Sequence, residues 1–162
     1  MSIRHLDTLF HPASVAVFGA SERSASVGGT VWRNLLAGGF KGTLYPVNLK
    51  HTTLGGVEVY RNVAALPEAP DLAVICTPAH TVVPLITELG ARGTRAVIVV
   101  TAGLDKATKQ AMLDAARVHT LRVLGPNCIG LLVPHLGLNA SFAHIGALPG
   151  DLAFVSQSGA LV

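Results

Sequence analysis

The sequence predicts an α/β fold, a doubly wound and mostly parallel sheet with helices on both faces, and three observations carry that expectation. Apolar runs without alternation recur at residues 15–18, 72–76 and 96–100, the pattern of strands covered on both faces. Between them lie stretches with apolar residues at helical spacing. Turns of small residues close the runs: Gly19, Thr77-Pro78-Ala79, Thr101-Ala102-Gly103 and, after a shorter run, Gly125-Pro126-Asn127. Strand, helix, strand, helix in this order calls for right-handed crossovers, which bring all of these turns to one edge of the sheet.

The elements follow in order. The first strand spans 15–18 and closes at Gly19; Val27, Val31 and Leu35 then mark a helix that stops at Gly38-Gly39. Residues 42–47 form the second strand. Gly55-Gly56 turns the chain into a short strand over 57–60, and a brief helix over 63–66 is ended by Pro67. After the strand at 72–76 a helix runs to about Ala91, with Pro84 in its first turn, where the missing N–H does no harm. The strand at 96–100 leads to Asp105, a cap for a helix in which Thr108, Ala111, Met112, Ala115 and Ala116 share a face, ending near His119. Residues 122–124 are another strand. Residues 152–155 read as a last one, followed by the small-residue turn Ser156-Gln157-Ser158-Gly159, and a helix is expected where the sequence stops at Val162. On this reading residues 1–148 are one domain and residues 149–162 are the cut-off start of the next.

Composition narrows the function. A chain of 162 residues, half of them hydrophobic and 13% charged, buries roughly 70% of the surface its unfolded form exposes. Its 12 basic residues are scattered and give a net charge of only +3, which speaks against nucleic acid and is compatible with a polyphosphate ligand. Cys76 and Cys128 form neither a CxxC nor a Cys/His pair, and the seven histidines, His80 among them, show no metal spacing; no metal site is expected and a reducing, cytoplasmic location is. No segment approaches the ~18 consecutive apolar residues of a membrane helix.

The turns at the shared edge hold the candidate binding residues. Gly19 permits a close turn towards Ser21, and Ser26 with the amides of Val27, Gly28 and Gly29 would present N–H groups to a pyrophosphate at the positive end of the first long helix. The spacing is not GxGxxG, and a turn without a ligand is the plain alternative. After the second strand comes Pro46-Val47-Asn48-Leu49-Lys50, where a dinucleotide fold would hold an acid for a ribose hydroxyl. Here there is no acid between residues 44 and 56. Lys50 suits a ligand with an additional phosphate on its adenosine ribose, coenzyme A (CoA) being one; the alternative is an ordinary surface lysine. Pro46 and Asn48 fix that turn and add amide hydrogen bonding. Small residues at Thr77, Pro78 and Ala79 and at Val100, Thr101 and Ala102 leave room for a flat ring and a thin chain, while Asn127 is placed to bond the amides of an extended arm. Cys128 has no histidine placed to activate it, so a buried, inert thiol is expected. Residues 156–159 depart from the GxSxG elbow and read as a phosphate cradle or a linking turn.

Together with Leu104 and residues 149–161, these segments resemble the CoA-binding domain of nucleoside-diphosphate-forming acyl-CoA synthetases, relatives of the succinyl-CoA synthetase α subunit. The likeness covers nearly the whole chain. Residues 35–40 and 136–142 look closest to bacterial Pat-type protein lysine acetyltransferases, in which a synthetase-like region is joined to a GNAT domain. The resemblance implies a Rossmann-like fold with CoA or acetyl-CoA across the strand ends. Ser21, Ser26, Val27 and Gly28 would face the nucleotide phosphates, Lys50 the phosphorylated ribose, residues 77–79 and 100–102 the adenosine and pantetheine, and Asn127 the arm leading to the thiol. It implies no catalytic residue in this stretch: the chain would be a binding module whose partners are a CoA thioester and the downstream synthetase-like and GNAT domains. Two alternatives stay open from the residues themselves. One is an NAD(P)-dependent oxidoreductase, with Lys50 at the 2′-phosphate of NADP; the other is a regulatory Rossmann domain that binds no ligand.

Overall fold

The computed structural model describes residues 3–158. In chain order the elements are α1 (Leu6–Phe10), β1 (Ser14–Phe18), α2 (Val27–Gly38), β2 (Thr43–Val47), β3 (Thr53–Leu54), β4 (Val57–Glu58), β5 (Leu72–Ile75), α3 (Val82–Arg92), β6 (Ala96–Val99), α4 (Lys106–Val118), β7 (Arg122–Leu124), β8 (Gly130–Val133) and β9 (Leu138–Ser141). Five strands make one parallel sheet in the order β2-β1-β5-β6-β7. The chain builds outwards from β1 to β2, then returns past β1 to β5, so the winding reverses between β1 and β5. This is the expected doubly wound α/β fold of Rossmann type.

Every residue of β1, β5 and β6 is buried, which is why these strands read as unbroken apolar runs. Alternation then divides them between two cores. Ala16, Phe18, Ala73, Ile75, Val97 and Val99 pack with Val82, Ile86 and Leu89 of α3 and Met112 and Ala116 of α4. Val15, Val17, Val74 and Ile98 belong to the opposite face, with Val31, Trp32 and Leu35 of α2. Each fully buried Val, Leu, Ile or Met among them contributes about 2 kcal/mol relative to an exposed one.

The local stops behave as their chemistry requires. Asp105 Oδ1 accepts from Thr108 N at 2.7 Å and starts α4, and α2 ends on Gly39 in the left-handed conformation. Residues 63–66 form a single turn rather than the expected helix. Asn62 Oδ1 accepts from Ala65 N at 2.9 Å, and Pro67 leaves no room for a second turn. The short strand expected over 57–60 stops at Glu58 and pairs back on Thr53–Leu54 around Gly55-Gly56, while Tyr60 only bridges to Val47.

Two further differences concern the end of the chain. The β8–β9 hairpin was not foreseen; it packs on α2, burying Leu138 and Ala140. Residues 152–155 form no strand: Leu152 is 99% exposed, and the segment has no ladder partner among the described residues. Apolar composition forms a strand only where a neighbouring edge takes its hydrogen bonds. Gly159 and the helix expected after it lie outside the described residues.

Candidate functional site

Parallel strands place their carboxyl ends together, and the turns after β1, β2, β5, β6 and β7 are stitched into one rim by backbone bonds. Gly19 N donates to Val47 O (2.9 Å), Cys76 N to Phe18 O (2.9 Å), Val100 N to Ile75 O (3.0 Å) and Asn127 N to Thr101 O (3.1 Å). The predicted binding residues thus share one edge, centred on the reversal between β1 and β5. There Gly19 meets Cys76 and Thr77 so closely that a Cβ on it would lie 3.1 Å from Cys76 O and 3.3 Å from Thr77 Cγ2. The first turn of α2 sits on the same spot, since a Cβ on Gly28 would lie 2.0 Å from Gly19 O. The positive end of the helix therefore opens at the crevice where such sheets take their ligands.

One expected donor is not available. Ser26 caps α2, its Oγ accepting from Gly29 N at 3.1 Å, which commits that amide and leaves those of Val27 and Gly28 without a partner among the described residues. Ser21 is buried and its Oγ accepts from Arg23 N at 3.0 Å, holding the loop. Arg33 Nη2 donates to Ser24 O and Thr30 Oγ1, both at 3.1 Å, and Arg23 stands exposed in the loop itself. Neither arginine was singled out from the sequence, although a cation in the turn after a first strand was the available signal. Glu22 is turned away to the β3–β4 hairpin, where Oε1 accepts from Gly55 N at 3.2 Å.

On the β2 side, Lys50 is exposed and its amide donates to Asn48 Oδ1 at 2.8 Å, while Asn48 Nδ2 donates to Ala20 O at 2.7 Å. Pro46 is buried within β2 opposite Val17, one residue short of the rim; β2 is an edge strand, where a missing N–H is tolerated. Across the crevice, Thr101 Oγ1 donates to Thr77 O at 2.7 Å and Thr77 Oγ1 pairs with Thr81 Oγ1 at 2.6 Å. Pro78 and Ala102 are exposed, Ala79 is half-buried and Val100 lies beneath them in the core. Asn127 is exposed at the rim's far end with φ 56°.

Burial, with a smaller contribution from Cys128, pushes the Cys76 thiol up to about 12, and burial raises Cys128 as well. Both thiols are protonated at neutral pH, and Cys128 Sγ lies 3.5 Å from Val99 O, as an inert side chain would. No group of three or more His, Cys, Asp or Glu that could hold a metal ion exists among the described residues. Residues 156–158 fold on themselves, Ser156 Oγ accepting from Ser158 N at 3.1 Å, and the helix expected to complete a phosphate cradle there lies outside the described residues.

A doubly wound sheet, a helix N-terminus at its reversal point and a lysine after the second strand define a nucleotide-binding α/β domain. The model of the family described as the CoA binding domain matches residues 13–134, and the chain belongs to that family. It is 38% identical over 96% of its length to the α subunit of acetate–CoA ligase (ADP-forming) I of Pyrococcus furiosus, of which it covers 36%. It is 35% identical over 94% to 4-hydroxybutyrate–CoA ligase (ADP-forming) of Nitrosopumilus maritimus, covering 23% of it. Among solved structures, a dinucleotide-forming acetyl-coenzyme A synthetase 1 of Candidatus Korarchaeum cryptofilum, in complex with phosphate and ADP, superposes with a TM-score of 0.92 at 38% identity, over 96% of this chain and 34% of that one. The chain thus spans about a third or less of the length of these relatives. The match decides for CoA over the NAD(P) and ligand-free alternatives. The residues present fit that cofactor: two helix amides without a protein partner among the described residues, a lysine with no acid between residues 44 and 56, and small side chains in the turns after β5 and β6.

Proposed function

We propose that this domain holds CoA or acetyl-CoA at the crevice between β1 and β5 and serves an ADP-forming acyl-CoA ligase, contributing no catalytic residue of its own. The amides of Val27 and Gly28, with Gly19, Ser21 and Ser26 shaping their loop, take the pyrophosphate. Lys50 takes the ribose phosphate from a turn held by Pro46 and Asn48. Thr77, Pro78 and Ala79 with Val100, Thr101 and Ala102 cover adenosine and pantetheine, and Asn127 guides the arm. The observation that carries this reading is the joining of Lys50's loop and the start of α2 through one loop, Asn48 Nδ2 bonding Ala20 O while the first turn of α2 sits on Gly19. When bound, CoA supplies the thiol that accepts the acyl group; the chain's residues bind and orient it.

The relatives act on acids as different as acetate and 4-hydroxybutyrate, which supports acyl selection outside this domain. We place the start of a following synthetase-like domain at residue 149: the last packed strand ends at Ser141, and Leu148, Leu152, Phe154 and Val155 stand exposed. A GNAT-linked acetyltransferase as the parent rests on residues 35–40 and 136–142. These lie against each other, a Cβ on Gly38 falling 2.3 Å from Gly137 O, so their pattern reports packing and leaves the ligase parent preferred. Two free cysteines support a cytoplasmic setting, and among the described residues no helix is long and apolar enough to cross a membrane.

Thermal-shift titration tests the cofactor. CoA is expected to raise the unfolding midpoint saturably, by the equivalent of about 2.7 kcal/mol at a hundredfold excess over Kd. A rise with NADP and none with CoA overturns the reading.

A further inference from the structure

We propose that Asn48 is a positioning residue that sets the preference for a phosphorylated ribose by locking Lys50 to the loop that carries the pyrophosphate site. The inference rests on the function proposed above and adds a division of labour within it: Lys50 supplies the charge, and Asn48 supplies its place.

Asn48 stands where three segments meet. Its own amide donates to Tyr60 O at 2.9 Å, so its backbone is anchored to the chain returning from β4. Its side chain then reaches in two directions. Nδ2 donates to Ala20 O at 2.7 Å, on the loop that leads from β1 into α2, and Oδ1 accepts from Lys50 N at 2.8 Å, two residues further along its own turn. One planar amide therefore fixes the distance between the backbone of Lys50 and the start of α2. Glu22 adds a second tie between the same regions through Gly55 N at 3.2 Å, but it grips the tip of the β3–β4 hairpin and not the lysine's turn.

The need for such a tie follows from the ligand's covalent form. Ribose phosphate and pyrophosphate hang on one sugar, so their spacing is short and nearly rigid, and a protein gains from both only if its two binding groups are held at the matching separation. A lysine is a flexible point charge, and Leu49 and Lys50 are both exposed, with no packing to hold them. Without the amide the ammonium group still reaches solvent phosphate but no longer stands at a fixed distance from α2. A ligand that lacks the ribose phosphate never uses that lysine, and its affinity is nearly indifferent to the tie. A merely structural asparagine would weaken both ligands alike.

The test is a double-mutant cycle on the full chain, with dissociation constants for CoA and dephospho-CoA measured by calorimetry for wild type, Lys50→Ala, Asn48→Ala and the double variant. Wild type is expected to prefer CoA, and Lys50→Ala to reduce that preference roughly tenfold, the scale of one charge-assisted hydrogen bond. Asn48→Ala is expected to reduce it as well, with dephospho-CoA binding nearly unchanged, and to reduce it no further when Lys50 is already alanine. A preference left at its wild-type value in Asn48→Ala, or an added loss in the double variant, overturns the role of Asn48 while leaving Lys50's intact. Equal affinities in wild type remove Lys50 from the ribose phosphate and take the Asn48 proposal with it. If Asn48→Ala does not fold, Asn48→Ser keeps an acceptor for Lys50 N but is too short for Ala20 O; the same fall in preference supports the tie and an unchanged preference refutes it.

Discussion

Gly28 shows how one missing carbon organises the rim. A Cβ there would fall 2.0 Å from Gly19 O, a contact between two backbones that neither can relieve by rotating a side chain. Gly28→Ala is expected to push α2 off the end of β1, costing about 3 kcal/mol in urea unfolding, and to weaken CoA binding as the helix amides leave the crevice. An unchanged midpoint would show that the helix start does not sit on Gly19. Cys76 carries a second expectation at this scale. Its folded thiol titrates near 12, above the ~8.5 of an unfolded cysteine, so the unfolded chain ionises first as pH rises. Stability is therefore complete below about 8.5 and declines towards 12. Cys76→Ala should flatten that alkaline decline, and iodoacetamide should label native Cys76 far more slowly than the denatured residue. In the sequence Gly28 was legible as an amide donor, but its packing role was not, because Gly19 O becomes its neighbour only once β1 and α2 are docked.

Elements defined by local chemistry were the legible ones. Asp105 announced α4, and the hydrogen bond to Thr108 N, together with that residue's side chain, holds its carboxyl below the usual range. A carboxyl depressed on folding stabilises above the unfolded pKa of about 3.9, and that contribution is lost as pH falls through the folded value. The thermal midpoint of Asp105→Ala is thus expected to lie below wild type at neutral pH and to converge with it in acid; a constant gap would mean the cap works without its charge. What the sequence concealed were elements made by partners. Thr53–Leu54 is too short to carry a pattern and becomes a strand only by pairing with Val57–Glu58, and the β8–β9 hairpin owes its burial to α2, about a hundred residues away in chain position. Residues 152–155 fail in the opposite sense, having the composition of a strand and no ladder partner among the described residues.

For the whole molecule, topology explains why so much of the candidate site could be anticipated: once the sheet is parallel, every turn after a strand falls on one edge, whatever side chains it carries. The cross-links lay beyond that logic, since the Asn48 to Ala20 and Glu22 to Gly55 bonds join residues 28 and 33 positions apart through loop conformations that no periodicity encodes. The hairpin packed on the C-terminal half of α2 supplies a control for the whole scheme. Gly137 has φ 66° and a Cβ on it would meet Gly38 O at 2.4 Å, so Gly137→Ala strains the turn and the contact with α2 together. It is expected to lower global stability by about 2 kcal/mol in a single cooperative transition, because hairpin, helix and sheet share one core. The ratio of CoA to dephospho-CoA affinity should nevertheless stay at its wild-type value, since Gly137 meets the end of α2 at Gly38 whereas the Asn48 tie joins the loop before its start at Ala20. A ratio that fell with stability in Gly137→Ala would mean that ribose-phosphate preference follows the general firmness of the domain rather than the amide of Asn48.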